Sequence, residues 1–203
     1  MKQINKYIVE RLHINKDTGN NHYNYHPKTR DELKELIHKL INERGNEADL
    51  NDIDTSEITD MTELFYESNF NGDISNWNVS KVKDMKYMFK NSKFNGDISE
   101  WDVSNVKYMN SMFWGSSFTG KKGDISDWDV HNVQYMHYMF AYSEFNGDIS
   151  EWNVSNVENM SHMFWNSKFN GDISEWNVSH VKNMWHMFDY SPLEKNPPKW
   201  YKH

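Results

Sequence analysis

The segment GDISNWNVSKVKDMKYMF at residues 72–89 returns as GDISEWNVSNVENMSHMF at residues 147–164, and this pair decides the fold. Comparison of the chain with itself extends the match to a repeat of 24 residues, in which one tryptophan marks each unit. One unit is three residues longer because FTGKKGD at 118–124 stands where other units have FNGD. The marker residues are Trp77, Trp101, Trp128, Trp152 and Trp176. A period of this length predicts a solenoid, in which each unit buries its apolar face against its neighbours.

Each unit combines two hydrophobic periodicities. Trp77 and Val79 alternate with polar residues as in a half-buried strand, whereas the Met-x-x-Met-Phe segment has the spacing of a helical turn. The apolar positions of the second unit are Ile74, Trp77, Val79, Val82, Met85, Met88, Phe89 and Phe94. The segment LNDIDTSEITDMTELFYES at 50–68 aligns as a degenerate first unit. The sequence therefore predicts an α+β repeat solenoid over residues 46–191, with six units of short strand, turn and short helix.

The repeat motifs resemble those of a known family. GDISNWNVSKVKDMKYMF and GDISEWNVSNVENMSHMF are similar to the BspA-like repeats of mycoplasma lipoproteins and bacterial surface proteins, and the similarity covers roughly residues 46 to 193. The resemblance implies a leucine-rich-repeat-like solenoid. It also implies a binding function, since many members of that family are surface adhesins or bind host proteins.

The segments on either side of the repeats have features of caps. Residues 27–45 contain a Thr-x-x-Glu capping box, an apolar stripe and a final glycine, which predict a helix that covers the first unit. Prolines together with Trp200 and Tyr201 predict a C-terminal cap over residues 192–203. Residues 1–26 are predicted to be an N-terminal arm, which either packs on the solenoid or folds when it binds something.

Composition argues against several classes of function. The chain has 203 residues, no cysteine and a formal net charge of -8, so nucleic acid is not an expected partner. No apolar run approaches the length of about 18 residues that a membrane span needs. No signal peptide or lipid-anchoring cysteine is visible, which favours a cytoplasmic location, with the cell surface or secretion as the alternative. No catalytic motif or metal-ligand spacing occurs, so neither enzymatic activity nor a cofactor is expected.

An aspartate recurs in the Asn-Gly-Asp turns of the units. The column consists of Asp73, Asp97, Asp124, Asp148 and Asp172. Each carboxylate either accepts backbone N–H groups in its own turn or contributes to a calcium site. The first interpretation is favoured, because the unit lacks the doubled Gly-x-Asp pattern of calcium-binding β-helices.

Positions that vary between units give the sharpest indication of function. Around the Met-Phe core positions they are rich in aromatic residues and histidine: Tyr108, Trp114, Tyr135, His137, Tyr138, Tyr142, His162, Trp165, Trp185 and His186. Such a set is typical of a protein interface, although it could instead form a second, smaller core. We therefore expect a non-catalytic module that binds another protein, such as an intracellular bacterial or phage inhibitor. A surface adhesin and a carbohydrate-binding solenoid are the alternatives.

Overall fold

The computed structural model describes residues 23–202 and contains little regular secondary structure. Helix α1 spans Arg30–Arg44, and a short 3-10 helix spans Pro192–Glu194. The Thr29 side chain accepts a backbone N–H of the first turn of α1, and Gly45, with φ of 90°, ends the helix. This is the helix that the capping box predicts. Neither of the two described helices is long and apolar enough to cross a membrane.

The repeat units contain neither of the elements predicted for them. Within residues 46–191 the structure has no helix and no extended strand, and adjacent units are linked by isolated parallel bridges. One series of bridges joins Asp60, Asp84, Tyr108, Tyr135, Asn159 and Asn183 in turn. The predicted short strand and short helix of each unit are therefore wrong, whereas the predicted repeat period is retained in the stacking.

Two consecutive β-turns replace the predicted short helix. In the second unit Met88 donates its N–H to the Met85 carbonyl at 3.3 Å, and a similar bond closes the next turn at Phe89. The third residues of these turns, Tyr87 and Asn91, have φ of 57° and 55°. A positive φ at this position is typical of a type II turn and excludes an α-helix. Tandem turns and a helix have the same spacing of inward side chains, so the apolar pattern alone does not distinguish the two structures.

Hydrogen bonds between successive turns all point in one direction. Met85 donates its N–H to the Tyr108 carbonyl at 2.9 Å, and Tyr87 donates to Asn110 at 3.2 Å. The same pattern recurs at each junction between the units. Because the accepting carbonyl and the next donating N–H belong to one peptide group, these bonds form continuous chains of aligned peptide dipoles. The N–H groups of these chains therefore point toward the last unit, whereas Lys83 and Lys93, on either side of the turns, donate to carbonyls of the preceding unit at 2.9 Å.

Aromatic side chains fill the centre of the stack. The fully buried Phe89 ring stacks on Phe94 and Phe113, with centroids 4.5 and 5.5 Å apart. Each marker tryptophan is buried and donates its Nε1–H to a carbonyl of the preceding unit, as Trp77 does to Leu50 at 3.0 Å. This bond removes the cost of burying an unpaired indole N–H. All eight apolar positions predicted for the second unit are buried.

Helix α1 closes the first end of the stack. Leu33, Ile37 and Leu40 are fully buried in the same hydrophobic cluster as the repeat core. Arg30, at the start of the helix, donates from Nε to the Thr62 carbonyl at 2.7 Å. The helix therefore covers the apolar surface of the first unit. Its Arg30 side chain also pairs with a carbonyl that, in later units, accepts an N–H of the preceding unit.

The stack continues at both ends into segments outside the predicted repeats, and at the second end the tryptophan column continues with it. Trp200 lies 24 residues after Trp176, stacks on it at 6.3 Å and donates its Nε1–H to a carbonyl of the preceding unit. At the other end Tyr25 forms a parallel bridge with Ile53. The end of the predicted arm thus pairs with the first unit, while residues 1–22 of that arm lie outside the described residues.

Candidate partner-binding surface

The ten aromatic and histidine residues singled out above lie on the turns of the third to sixth units, and we call them the aromatic strip. The Met and Phe residues between them are buried, or nearly so at Met184, so the strip residues lie on the outer side of each turn. Tyr138, Tyr142, His162 and His186 have φ between 54° and 59°. Such values are uncommon for residues other than glycine, and here the hydrogen bonds between units hold them.

Rings of the strip contact one another along the stack. Tyr108 and Tyr135 are stacked with centroids 5.5 Å apart. Tyr138 and His162 are stacked at 4.4 Å, and His162 is followed by His186 at 5.2 Å. The strip is therefore an ordered row of rings in which one unit positions the side chain of the next.

Tryptophans link the rows sideways and leave part of the strip exposed. Trp165 packs edge-on against Tyr142 at 5.0 Å and against His162 at 5.6 Å. None of the ten side chains is fully buried. Tyr142 retains 44% of its exposure, and Trp185 retains 70%. The rings thus pack on one another, as a second core would, while keeping a continuous surface toward solvent.

Two lysines that sequence reasoning missed extend the strip toward the first unit. The Lys90 ammonium lies 3.7 Å from the centroid of the Trp114 ring and 5.4 Å from that of Tyr87. Lys86 lies 5.1 Å from the centroid of Tyr108. Cation–π contacts of this kind fix the ring and place positive charge at one end of the strip. The repeat could have revealed the first pair, since Lys90 and Trp114 occupy equivalent positions 24 residues apart.

Two histidines at the centre of the strip are held in the neutral form. Burial lowers the pKa of His137, and the neighbouring His162 lowers it further. Burial also lowers the pKa of His162, with a further decrease from His186 that Asp189 opposes. Within residues 23–202 the Nδ1 atoms of His137 and His162 are buried without a hydrogen-bond partner. Near neutral pH these two side chains therefore contribute uncharged aromatic surface.

The aspartate column forms local turns in the structure. Asp73 accepts the N–H of the serine two residues later at 2.9 Å, and the four other aspartates of the column do the same. These N–H groups hold the pKa of Asp148 and of Asp172 below the usual range. In the described part of the chain, no three His, Asp or Glu side chains converge as metal ligands would. Each carboxylate thus has a structural partner in its own turn.

Comparison with known families concerns the repeats. The model of a family described as Mycoplasma protein of unknown function, DUF285, matches residues 32–122 and, a second time, residues 118–200. The two matches together cover helix α1 from Glu32 onward and all the repeat units. No curated protein and no solved structure is significantly similar to the chain.

Proposed function

The chain belongs to the DUF285 family, and we propose that it is a non-catalytic repeat protein that binds another protein through the aromatic strip. Assignment of its units to the BspA-like, leucine-rich-repeat-like solenoids is part of the proposal and rests on the GDIS-x-W-x-VS motif. One observation carries the binding function: the strip is a continuous row of half-exposed rings that ends at Trp185, which is 70% exposed. Exposed tryptophan and tyrosine are enriched among the residues that dominate binding energy at interfaces.

Ordering of the strip favours binding. A free side chain loses rotamer freedom when it enters an interface, which costs about 0.5–1.5 kcal/mol for each immobilised side chain. Tyr138 and Trp165 already contact neighbouring rings in the unbound protein. A partner would therefore bind a surface whose side chains were already ordered during folding, so that little further rotamer entropy is lost on binding.

The arrangement of the rings favours a protein over a sugar as the partner. Carbohydrate sites stack a sugar on a free aromatic face. Tyr108 and Tyr135 turn their faces to each other, as Tyr138 and His162 do, so these four rings have one face covered by a neighbouring ring. Ring edges with interspersed polar atoms suit the side chains and backbone of a protein surface.

The cellular setting of this binding function is a further part of the proposal. An intracellular inhibitor and a surface adhesin could use the same strip. We propose the intracellular role, with the adhesin as the alternative. Fractionation of the organism that encodes the chain, followed by immunoblotting, separates the two: signal on the intact cell surface would refute the intracellular role.

Affinity capture with matched variants tests the binding function. The test variant replaces Tyr142 and Trp185 by serine, because these are the exposed tyrosine and tryptophan of the strip, with 44% and 70% exposure. The control replaces Tyr66 by serine, an exposed tyrosine outside the strip. A protein captured by the wild type and the control but not by the test variant, and shown to bind directly once purified, is the expected result. Equal capture by all three refutes the strip as the interface.

A further inference from the structure

We propose that the last unit of the stack carries a binding site for an acidic peptide at the N–H end of its turns. In the fifth unit Met160 and His162 donate their N–H groups to carbonyls of the last unit at 2.8 and 2.9 Å. The equivalent groups of the last unit are the N–H groups of Met184 and His186. In the described range 23–202, no backbone carbonyl accepts a hydrogen bond from either of them.

The polarity of the stack makes this end attractive to anions. Alternate peptide groups of the turns bond from unit to unit and are aligned, so partial positive charge accumulates where their N–H groups end. The chain uses this potential already, because Tyr190 donates its N–H to the Glu194 carboxylate at 3.1 Å. At the opposite end, where carbonyls collect, the Arg30 guanidinium is the partner of Thr62. A carboxylate at the N–H end and a cation at the carbonyl end are what the dipole direction requires.

A pocket lies beside the unpaired N–H groups. Met184 and His186 line a cavity of about 280 Å³, together with Trp185, Tyr201 and Lys202. The last two belong to a segment, residues 192–203, whose sequence contains three lysines and one glutamate. The chain as a whole has a formal net charge of -8, so this positive segment stands out from the rest of the protein.

Charges around the pocket are compatible with an incoming carboxylate. Lys202 lines the pocket and forms no ion pair with any described residue. Lys182, on the other side, contacts Glu158 at 2.8 Å but its side chain stays 74% exposed. The one acidic residue of the lining is Asp189. Its carboxylate already forms a hydrogen bond with the ring nitrogen of His186 at 2.6 Å.

An acidic peptide satisfies each of these features at once. Its carboxylate or carbonyl oxygens accept hydrogen bonds from the N–H groups of Met184 and His186. The Lys202 ammonium approaches the carboxylate, and the exposed Trp185 ring packs against the methylene groups of a glutamate side chain. The site shares Trp185 and His186 with the aromatic strip, but the backbone N–H groups and Lys202 that would hold the carboxylate belong to the end of the stack and not to the row of rings.

Amide chemical shifts provide the direct test. The full chain, labelled with nitrogen-15, is titrated with hexaglutamate and, separately, with hexaglutamine. Hexaglutamate is expected to move the amide protons of Met184 and His186 downfield in a saturable manner that salt weakens, while Met160 and His162, which already donate within the stack, remain in place. An equal response to hexaglutamine, equal shifts in all four amides, or no shift at Met184 and His186 overturns the proposal. So does a shift that appears on raising the protein concentration alone, which would place a second copy on this edge.

Lysine variants separate this site from the aromatic strip. Joint replacement of Lys182 and Lys202 by glutamine is expected to weaken hexaglutamate binding several-fold, whereas Lys168→Gln, at an exposed position outside the pocket, leaves it unchanged. Trp114→Ser, which alters the strip away from the pocket, should also leave hexaglutamate binding intact. Loss of peptide binding with Trp114→Ser, or equal weakening by Lys168→Gln, contradicts a local site. Failure of the strip to capture a partner would not affect these outcomes.

Discussion

Neighbouring residues of one turn offer the clearest test of whether the aromatic strip is a surface or a second core. Trp165 points outward and retains edge contacts with Tyr142 and His162 at 5.0 and 5.6 Å. Each aromatic pair contributes about 0.5–1.5 kcal/mol beyond simple burial. Trp165→Ala is therefore expected to lower the free energy of unfolding by about 2 kcal/mol.

Phe164, one residue earlier, provides the matched comparison. Its ring is fully buried and stacks on Phe169 at 4.3 Å and on Phe188 at 5.9 Å. Removal of a buried phenylalanine costs about 3–5 kcal/mol, because the lost apolar contacts leave a cavity. Phe164→Ala should therefore be the more damaging change by about 2 kcal/mol.

Urea denaturation of the two variants and the wild type, followed by circular dichroism, measures this difference. Trp165→Phe is a useful third variant, since it keeps a ring in place and should recover much of the stability lost in the alanine variant. If Trp165→Ala is as damaging as Phe164→Ala, the strip is a second core and its use as an interface is refuted. A smaller loss together with loss of partner capture supports a surface role.

Three further predictions concern the ends and the histidines. The pKa of His137 is lowered in the folded protein, so on acidification the unfolded chain takes up this proton first and the wild type loses stability as pH drops below about 6.5. His137→Asn should therefore flatten the pH dependence of stability, which thermal melts at several pH values can measure. Trp200→Ala should lower the unfolding free energy by about 2 kcal/mol in urea titrations, because both the stack on Trp176 and an indole hydrogen bond are lost; no change would remove Trp200 from the folded stack. Arg44→Met should cost about 1 kcal/mol and less at high salt, since the pair with Asp52 at 2.9 Å is partly exposed; a loss independent of salt would contradict an ionic contribution.

The hydrophobic columns were predictable because a repeat reports the same position several times. The buried positions of the second unit follow directly from comparison of units, and Trp77 identifies the column that runs through the molecule. The same argument would have found Trp200, which lies one period after Trp176, had proline residues not suggested an irregular cap. Stacking of identical side chains depends only on the period of the repeat, so it can be predicted from the sequence alone.

The backbone of the turns was harder to predict. Inward side chains at three- and four-residue spacing occur in a helix and also in tandem turns, so Met85 and Met88 do not distinguish them. A weaker signal lies in the position with the second positive φ, which is occupied by Asn91, Gly115 and Asn166 in three of the units. Asparagine and glycine tolerate that conformation better than other residues do, which argues against a helix.

Exposure of the strip depends on side-chain geometry that a sequence does not specify. Trp165 and Trp185 occupy different positions of the repeat, since the residues equivalent to them are Asp189 and Ser161. Trp165 is half-buried and contacts Tyr142 edge-on, whereas Trp185 is 70% exposed and lies on the last unit, where no described turn follows. Both the position within the unit and the place in the stack therefore set how much of each ring is exposed.

The direction of the hydrogen bonds explains why the two ends of the stack are closed by different chemistry. Carbonyls face helix α1 and pair with Arg30, whereas N–H groups leave the last unit and Tyr190 pairs with Glu194. Exchange of the two charged groups would set each against the local dipole. Each unit bonds only to its neighbours, so insertion or removal of a whole interior unit preserves both ends and changes only the length of the aromatic strip. The length of the aromatic strip and the chemistry of the two ends can therefore vary independently.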